Sequence, residues 1–404
     1  MLTQNYNNNN INNNINNNPF LQAEFSILKT YQNRGLILKK GRGVYLYDDK
    51  NQRYLDLMSN HGTNTLGYGN SLLINNLTKQ IKILTNLHGS FINDVRSKAA
   101  YLLKLKIKDS LKDNYKIIFS NSGAESIDNA LKISLIISKR KKIIRFTNSY
   151  HGKTLLSLAV TDSQEYKKGV PNFFEENIIK VNFNDEKDLE KKFSKEVGSV
   201  IIELIQGDGG INEAEKSFVK KIEFLCKKIG AIFVVDEIQT GTGRTGKFFA
   251  SEYYDIKPDI VILGKGIAAG MPCSVIFIKE KYQDLIEKGI QTSSFAGNPL
   301  SACGIITVLE TLTPSFLQNV KNTGDFFIKN LKHFLEKKGY KIKGRGLMIG
   351  VETPYHNQTE ILKKLQEKKF LAIPTSTNVI RFLPPLIIDR KTIEKNIKKI
   401  VSCF

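Results

Sequence analysis

An α/β fold built on a largely parallel sheet, completed by a smaller α+β unit, is what this sequence predicts, and three observations predict it. Between residues 70 and 310, short apolar runs rich in β-branched residues recur: Lys116–Phe119, Lys142–Phe146, Ser199–Glu203, Ala231–Val235, Ile260–Leu263 and Ser274–Ile278. Helical stretches such as Glu125–Ser138 and Phe218–Ile229 separate most of them. Non-alternating strands with interposed helices indicate a sheet covered on both faces. Finally, 404 residues at 41% hydrophobic content suit two or three domains with a large core.

The elements follow in order. Eleven of the first eighteen residues are Asn, so residues 1–19 are expected to be a disordered tail that cannot offset its ordering entropy. Folded sequence should begin near Phe20, and residues 20–69 should form the N-terminal part of a small domain. There, Gly41-Arg42-Gly43 before Val44–Tyr47 and Asp48–Asn51 reads as strand and turn, with Arg53–Asp56 returning. Residues 70–309 make the large domain. Its last run, Ser274–Ile278, follows the preceding strand so closely that an antiparallel course is expected. Residues 310–404 form a C-terminal small domain, with two amphipathic helices around the strand-rich Lys341–Glu352.

Composition excludes several function classes. The four cysteines (Cys226, Cys273, Cys303, Cys403) form no CxxC pair, so neither a disulfide framework nor a cysteine zinc site is expected. The net charge of +21 comes from 60 basic and 39 acidic residues, and only ten of the basic ones are Arg. Such a Lys excess, with abundant Asn and Ile and no Trp, is what coding bias produces. The lysines are spread along amphipathic segments such as Asp188–Lys195 and Lys391–Lys399, and Lys139-Arg140-Lys141-Lys142 sits at an expected helix C-terminus. Nothing resembles a nucleic-acid module. No apolar run approaches 18 residues and the start lacks a secretory pattern, so a cytoplasmic protein without membrane or nucleic-acid partners is expected.

Two glycine patterns are rejected. Gly241-Thr242-Gly243-Arg244-Thr245-Gly246 satisfies GxGxxG, but Asp236–Thr240 intervenes after the strand and no good helix start follows. Gly241 and Gly246-Lys247 also mimic a P-loop, yet Phe248 stands where the magnesium-binding hydroxyl belongs.

Chemistry gathers at the carboxyl ends of the expected strands, where open α/β sheets bind ligands. Ser120-Asn121-Ser122-Gly123-Ala124-Glu125 follows one strand and opens a helix. It reads as a phosphate cradle or as an ordinary helix cap. Asp236 ends Ala231–Val235 and can cap a turn or face a cationic ligand nitrogen. Lys265, between Gly264 and Gly266, is either a turn lysine or an imine-forming amine in the cleft. Anchor, carboxylate and amine together are what pyridoxal phosphate (PLP) requires.

At this point the chain closely resembles the acetylornithine and ornithine type aminotransferases, subgroup III of the fold-type I PLP enzymes. The resemblance runs from about Leu36 to Ile400. Its strongest segments are Phe119–Glu125, Tyr150–Thr154, Glu203–Gly210, Val235–Gly246, Gly264–Gly266, Ser293–Leu300, Gly344–Gly350 and Arg381–Pro385. It implies a large, mostly parallel seven-stranded sheet domain, a small α+β domain and transamination. Lys265 then resembles the lysine that carries the cofactor and shuttles the proton, and Asp236 the partner of the pyridine nitrogen. Ile238 and Tyr150 correspond to the residues below and above the ring, and Gln239 to the contact of its hydroxyl. Gly123 and Ala124, beside Ser122, match the phosphate binders. Ser294 matches a hydroxyl residue that reaches the phosphate of the neighbouring subunit, implying a homodimer with shared active sites. Arg381 corresponds to the arginine for the substrate carboxylate, and its place before Phe382-Leu383-Pro384-Pro385 pre-aims it for a bidentate grip.

Several positions depart from the family's usual residues. Lys153 stands for an Arg that contacts the α-carboxylate of the long substrate and loses the two-pronged geometry. Asp208 stands for a Glu that pairs with the carboxylate arginine, and is one methylene shorter. Ser294 replaces Thr and keeps the hydroxyl. His61 replaces an often small residue near the substrate entrance, and Glu203 either supports the carboxylate site or caps the backbone. The resemblance implies ping-pong exchange between glutamate and the terminal aldehyde of an N-blocked ornithine or lysine precursor, in arginine or lysine synthesis. It admits a small acidic amino-group carrier protein as partner, which a positively charged enzyme would attract. A transaminase for free ornithine or another ω-amino acid is the alternative.

Overall fold

The computed structural model describes residues 23–28, 30–171 and 174–404; the Asn-rich segment over 1–19 and the expected start at Phe20 lie outside the described residues. The N-terminal strands are β1 (Leu38–Arg42), β2 (Tyr45–Asp48) and β3 (Arg53–Asp56). The central part supplies β4 (Tyr115–Ser120), β5 (Lys142–Phe146), β6 (Ile178–Val181), β7 (Val197–Glu203), β8 (Ile232–Asp236), β9 (Ile260–Leu263) and β10 (Ser274–Lys279). The C-terminal part adds β11 (Lys341–Arg345), β12 (Met348–Glu352), β13 (Phe370–Leu371), β14 (Ile373–Pro374) and β15 (Val379–Phe382).

The strands β4 to β10 form one seven-stranded sheet in the order β4-β10-β9-β8-β7-β5-β6. Pairing is parallel from β9 through β8, β7 and β5 to β6, whereas β10 runs antiparallel to both β9 and β4. The antiparallel course expected for Ser274–Ile278 is therefore present, and it lies inside the sheet. All six expected runs are strands. β6 was not foreseen, because an edge strand buries little on its open side and Ile178–Lys180 are at most half-buried.

Both sheet faces are covered. Helix Gly123–Ser138 lays Ile127, Ala130, Leu131 and Ile133 on Ile143, Ile201, Val234 and Ile262. Helix Lys216–Ile229 lays Phe218, Val219, Ile222 and Cys226 on Ile202, Phe233 and Val235 of the other face. Each such large side chain contributes about 1.5–3 kcal/mol on burial. The first helix ends at Lys139 in the left-handed region (φ 54°), and Arg140 donates to the carbonyls of Val197 (3.1 Å) and Ile229 (2.6 Å). The basic cluster thus closes helix and strand ends at the surface.

The remaining strands make two four-stranded sheets, β1-β2-β3-β13 and β11-β12-β15-β14. β13 pairs parallel to β3, with Phe370 opposite Leu55, so N- and C-terminal parts share one sheet. Three helices follow residue 312 rather than the expected two: Pro314–Leu335, Gln358–Glu367 and Arg390–Val401. The third begins at Asp389, whose carboxylate accepts from the Thr392 N–H (2.7 Å).

Residues 241–246 are a turn that opens no α-helix. Arg244 is buried there and donates from Nη1 to the carbonyls of Leu347 (3.2 Å) and Pro384 (2.5 Å). Among the described residues no single helix is long and apolar enough to cross a membrane.

Candidate active site

The carboxyl ends of β4, β5, β7, β8 and β9 open onto one cleft of about 500 Å³. Its wall includes Ser122, Gly123, Ala124, Tyr150, Lys153, Glu203, Asp236, Ile238, Gln239 and Lys265. These residues come from distant stretches of the chain and meet because the parallel strands end on one side of the sheet.

Asp236 is the last residue of β8 and lies in register beside Glu203 of β7. It is 5% exposed. One carboxylate oxygen accepts from the Ile238 N–H (3.0 Å), and the other meets His151 Nδ1 at 2.7 Å. His151 lies within the segment Tyr150–Thr154, and its role is not legible in the sequence because its partner is 85 residues away. Its Nε2 is buried and has no protein partner. A histidine directly after the aromatic Tyr150 was the available signal.

Glu203 accepts from the Tyr150 N–H (2.8 Å) and the Gly207 N–H (2.9 Å). Burial pushes this carboxyl up to about 7, with His151 opposing and Asp236 adding to the rise. It thereby anchors the backbone that carries Tyr150.

Lys265 follows β9 with φ 44°, a left-handed conformation that a non-glycine residue adopts at some cost. Burial, and then the positive charge of Arg381, pull its amine down to about 8, against the opposing carboxylates Asp236, Glu203 and Asp208. Relative to an ordinary lysine this raises the neutral fraction near neutrality from well under about 1% to roughly a tenth, which suits a nucleophile and proton carrier.

Ser122 caps the helix starting at Gly123, its hydroxyl accepting from the Glu125 N–H (3.2 Å). A Cβ at Gly123 would lie 2.9 Å from Ile238 Cδ1, so only glycine leaves this helix start and Ile238 their present spacing.

Arg381, on β15, is 2% exposed and not on the open cleft wall. It stands behind Gln239, donating to Gln239 Oε1 (3.1 Å). Asp208 approaches its Nη2 only to 3.8 Å, an ion pair beyond hydrogen-bond length, as the short side chain suggested. The Arg381 Nε is buried without a partner. Lys153 is exposed at the mouth, its ammonium 3.9 Å above the Tyr166 ring. That ring meets Tyr150 edge-on at 5.8 Å.

His61 is exposed, with φ 58°, in a turn where Ser59 and Asn60 are also left-handed. Partial desolvation, then the positive charges of Arg381 and Lys265, lower the pKa of its imidazole. It does not line the cleft. Nor does Ser294, which is exposed on its own chain and whose carbonyl accepts from Asn86 Nδ2 (3.1 Å).

These residues fit PLP. The group needs an anion cradle, a carboxylate for its ring nitrogen and an amine for its aldehyde. Here a helix start kept open by Gly123, the buried Asp236 and Lys265 surround one cavity of sufficient size.

Comparison with known proteins agrees. A family model described as aminotransferase class III matches residues 27–404. The acetylornithine aminotransferase of Aquifex aeolicus is 36% identical over 92% of this chain and 97% of its own length. The [LysW]-aminoadipate semialdehyde/glutamate semialdehyde transaminase of Sulfurisphaera tokodaii is 35% identical over 91% and 94%. The crystal structure of the Toxoplasma gondii ornithine aminotransferase superposes with a TM-score of 0.89 at 26% identity, covering 95% of this chain and 93% of that one. With its two-sided central sheet and its lysine–carboxylate cleft, the chain belongs to the class III aminotransferases, enzymes of fold type I that depend on PLP.

Proposed function

We propose that this aminotransferase moves an amino group between glutamate/2-oxoglutarate and the terminal aldehyde or amine of an N-blocked ornithine or lysine precursor. The observation that carries the reading is the pair of separate cations at one site: Arg381 buried behind Gln239, and Lys153 exposed at the mouth. Glutamate reacts at its α-amine beside a carboxylate. The long substrate reacts at its far end and presents its carboxylate elsewhere, so two cationic positions serve two geometries. The acetylated and carrier-linked substrates in the names of the relatives support the N-blocked form.

When bound, PLP would supply an electron-withdrawing ring and an aldehyde able to take up and give back an amino group. In this reading Ser122, Gly123 and Ala124 hold its phosphate and Ile238 and Tyr150 flank it. Asp236, fixed by His151 and the Ile238 N–H, keeps a proton on the ring nitrogen. Lys265 Nζ takes the proton from the substrate carbon that bears nitrogen and returns it. Arg381 orients the glutamate carboxylate and Lys153 that of the long substrate; Glu203 holds the Tyr150 backbone, and His61, outside the cleft lining, takes no part.

We further propose a homodimer that completes the site through Ser294. In support, Ser294 is exposed, and the large apolar side chains of Ile83, Phe91, Ile92 and Phe295 are exposed in the same or the adjoining segment. A division into 20–69 with 310–404 and 70–309 is proposed with it, supported by the shared β3–β13 sheet. A cytoplasmic location accords with four free cysteines.

A panel of free, N-acetylated and carrier-attached ornithine and lysine tests the substrate. The proposal expects kcat/KM to favour a blocked substrate by at least about tenfold, or 1.4 kcal/mol. Preference for free ornithine would favour the second reading, which the likeness to an ornithine aminotransferase structure supports.

A further inference from the structure

Tyr166 carries no role in the reading above, yet it touches both substrate cations or their partners. It lies on the short helix Gln164–Lys167, is half-buried, and bears Lys153 over its ring. Its hydroxyl donates to Asp208 Oδ2 at 3.1 Å. The other oxygen of Asp208 is the one that faces Arg381 at 3.8 Å. Asp208 is therefore shared: a hydrogen bond ties it to Tyr166, and only a longer electrostatic contact ties it to Arg381.

We infer that Tyr166 is a positioning residue that holds Asp208 back from Arg381, so that Arg381 stays ready for an incoming dicarboxylate. Two observations converge. Arg381 donates to Gln239 Oε1 and, at 3.5 Å, to the Pro374 carbonyl, yet retains a buried Nε without a partner, so its hydrogen-bonding capacity is not exhausted. Asp208, while it accepts from the Tyr166 hydroxyl at 3.1 Å, stays 3.8 Å from Arg381 Nη2, beyond hydrogen-bond length. A carboxylate that fully paired with Arg381 would have to be displaced by every glutamate or 2-oxoglutarate; one held by a tyrosine yields more easily. Burial and the negative charge of Asp208 raise the Tyr166 hydroxyl above its ordinary value, which keeps it a donor at working pH.

The inference rests on the assignment of Arg381 to glutamate, and the test separates the two. Tyr166→Phe removes the hydroxyl and keeps the ring beneath Lys153. In half-reactions followed by cofactor absorbance, KM for glutamate and 2-oxoglutarate should rise about 3- to 10-fold. The long-substrate half-reaction should change less than about twofold. In the background of Asp208→Ala the same substitution should have no further effect on glutamate, because nothing remains to be held back. An unchanged glutamate KM, equal loss in both half-reactions, or an undiminished effect without Asp208 overturns the inference. Arg381→Ala serves as the control: if it leaves glutamate KM unmoved, it is the carboxylate assignment that falls.

Discussion

At the residue scale, burial moves the Lys265 amine and the Glu203 carboxyl off their ordinary values. The Lys265 amine sits near 8 instead of 10.5, so the folded state binds this proton less well than the unfolded chain. Two consequences follow with a definite sign. With Lys265 as the proposed nucleophile, uptake of PLP by cofactor-free protein should accelerate as pH rises through about 8, as the neutral fraction grows; a rate flat from pH 7 to 9 in stopped flow would contradict this. Stability of the cofactor-free protein should also increase as pH rises from about 8 to 10.5, since the penalty on the buried charge is relieved there. Lys265→Met should lack that gain in a denaturation series. His151 gives a third prediction. It acts through Asp236, so His151→Ala should slow both half-reactions alike, by roughly tenfold to a hundredfold for a lost charge-assisted hydrogen bond. Rapid-reaction traces with a defect confined to one substrate would show a different role. The sequence displayed Lys265 and Asp236 because each ends an apolar strand. It did not display the His151–Asp236 bond or the Tyr166–Asp208 bond, which join residues on separate elements and depend on how those elements stack.

At the element scale, strand ends and helix starts build the cleft, and close packing between them is what a substitution disturbs. The helix beginning at Gly123 approaches Ile238 so nearly that a methyl group at Gly123 must displace the Ile238 side chain. Overpacking of this sort costs about 1–3 kcal/mol. Gly123→Ala should therefore weaken PLP binding about tenfold in an absorbance titration, a loss of about 1.4 kcal/mol. Ile238→Val, which removes the nearest methyl, should recover part of it; no recovery would place the damage elsewhere. The strands themselves were legible where burial on both faces makes an unbroken apolar run, as in β8 and β9. β6 and the two-residue β13 were not, because an edge strand and a two-residue pairing leave little pattern to read.

At the scale of the whole molecule, Arg244 connects parts that the sequence keeps far apart. It links the turn after β8 to Leu347 and Pro384, with Ser59 Oγ 3.5 Å from its Nη2. Burial lowers its pKa to about 9, with Asp56 opposing. Arg244→Met should leave buried carbonyls without donors and lower unfolding free energy by about 3–5 kcal/mol in urea titration. A loss below about 1 kcal/mol would mean that the carbonyls find other donors. The GxGxxG string opens no α-helix, and the role of its arginine as a tie is not legible in the sequence, since its acceptors lie more than 100 residues downstream. The order of the central sheet bears on how the molecule is made. β4 leads directly into the helix start at Gly123, and among the described strands its one neighbour in the sheet is β10. During synthesis, then, β4 leaves the ribosome with its edge unpaired and waits for roughly 150 further residues to emerge, a separation that slows folding. Until β10 slides between β4 and β9, the nascent chain carries a bare apolar strand, and chaperone capture should be heaviest in that interval.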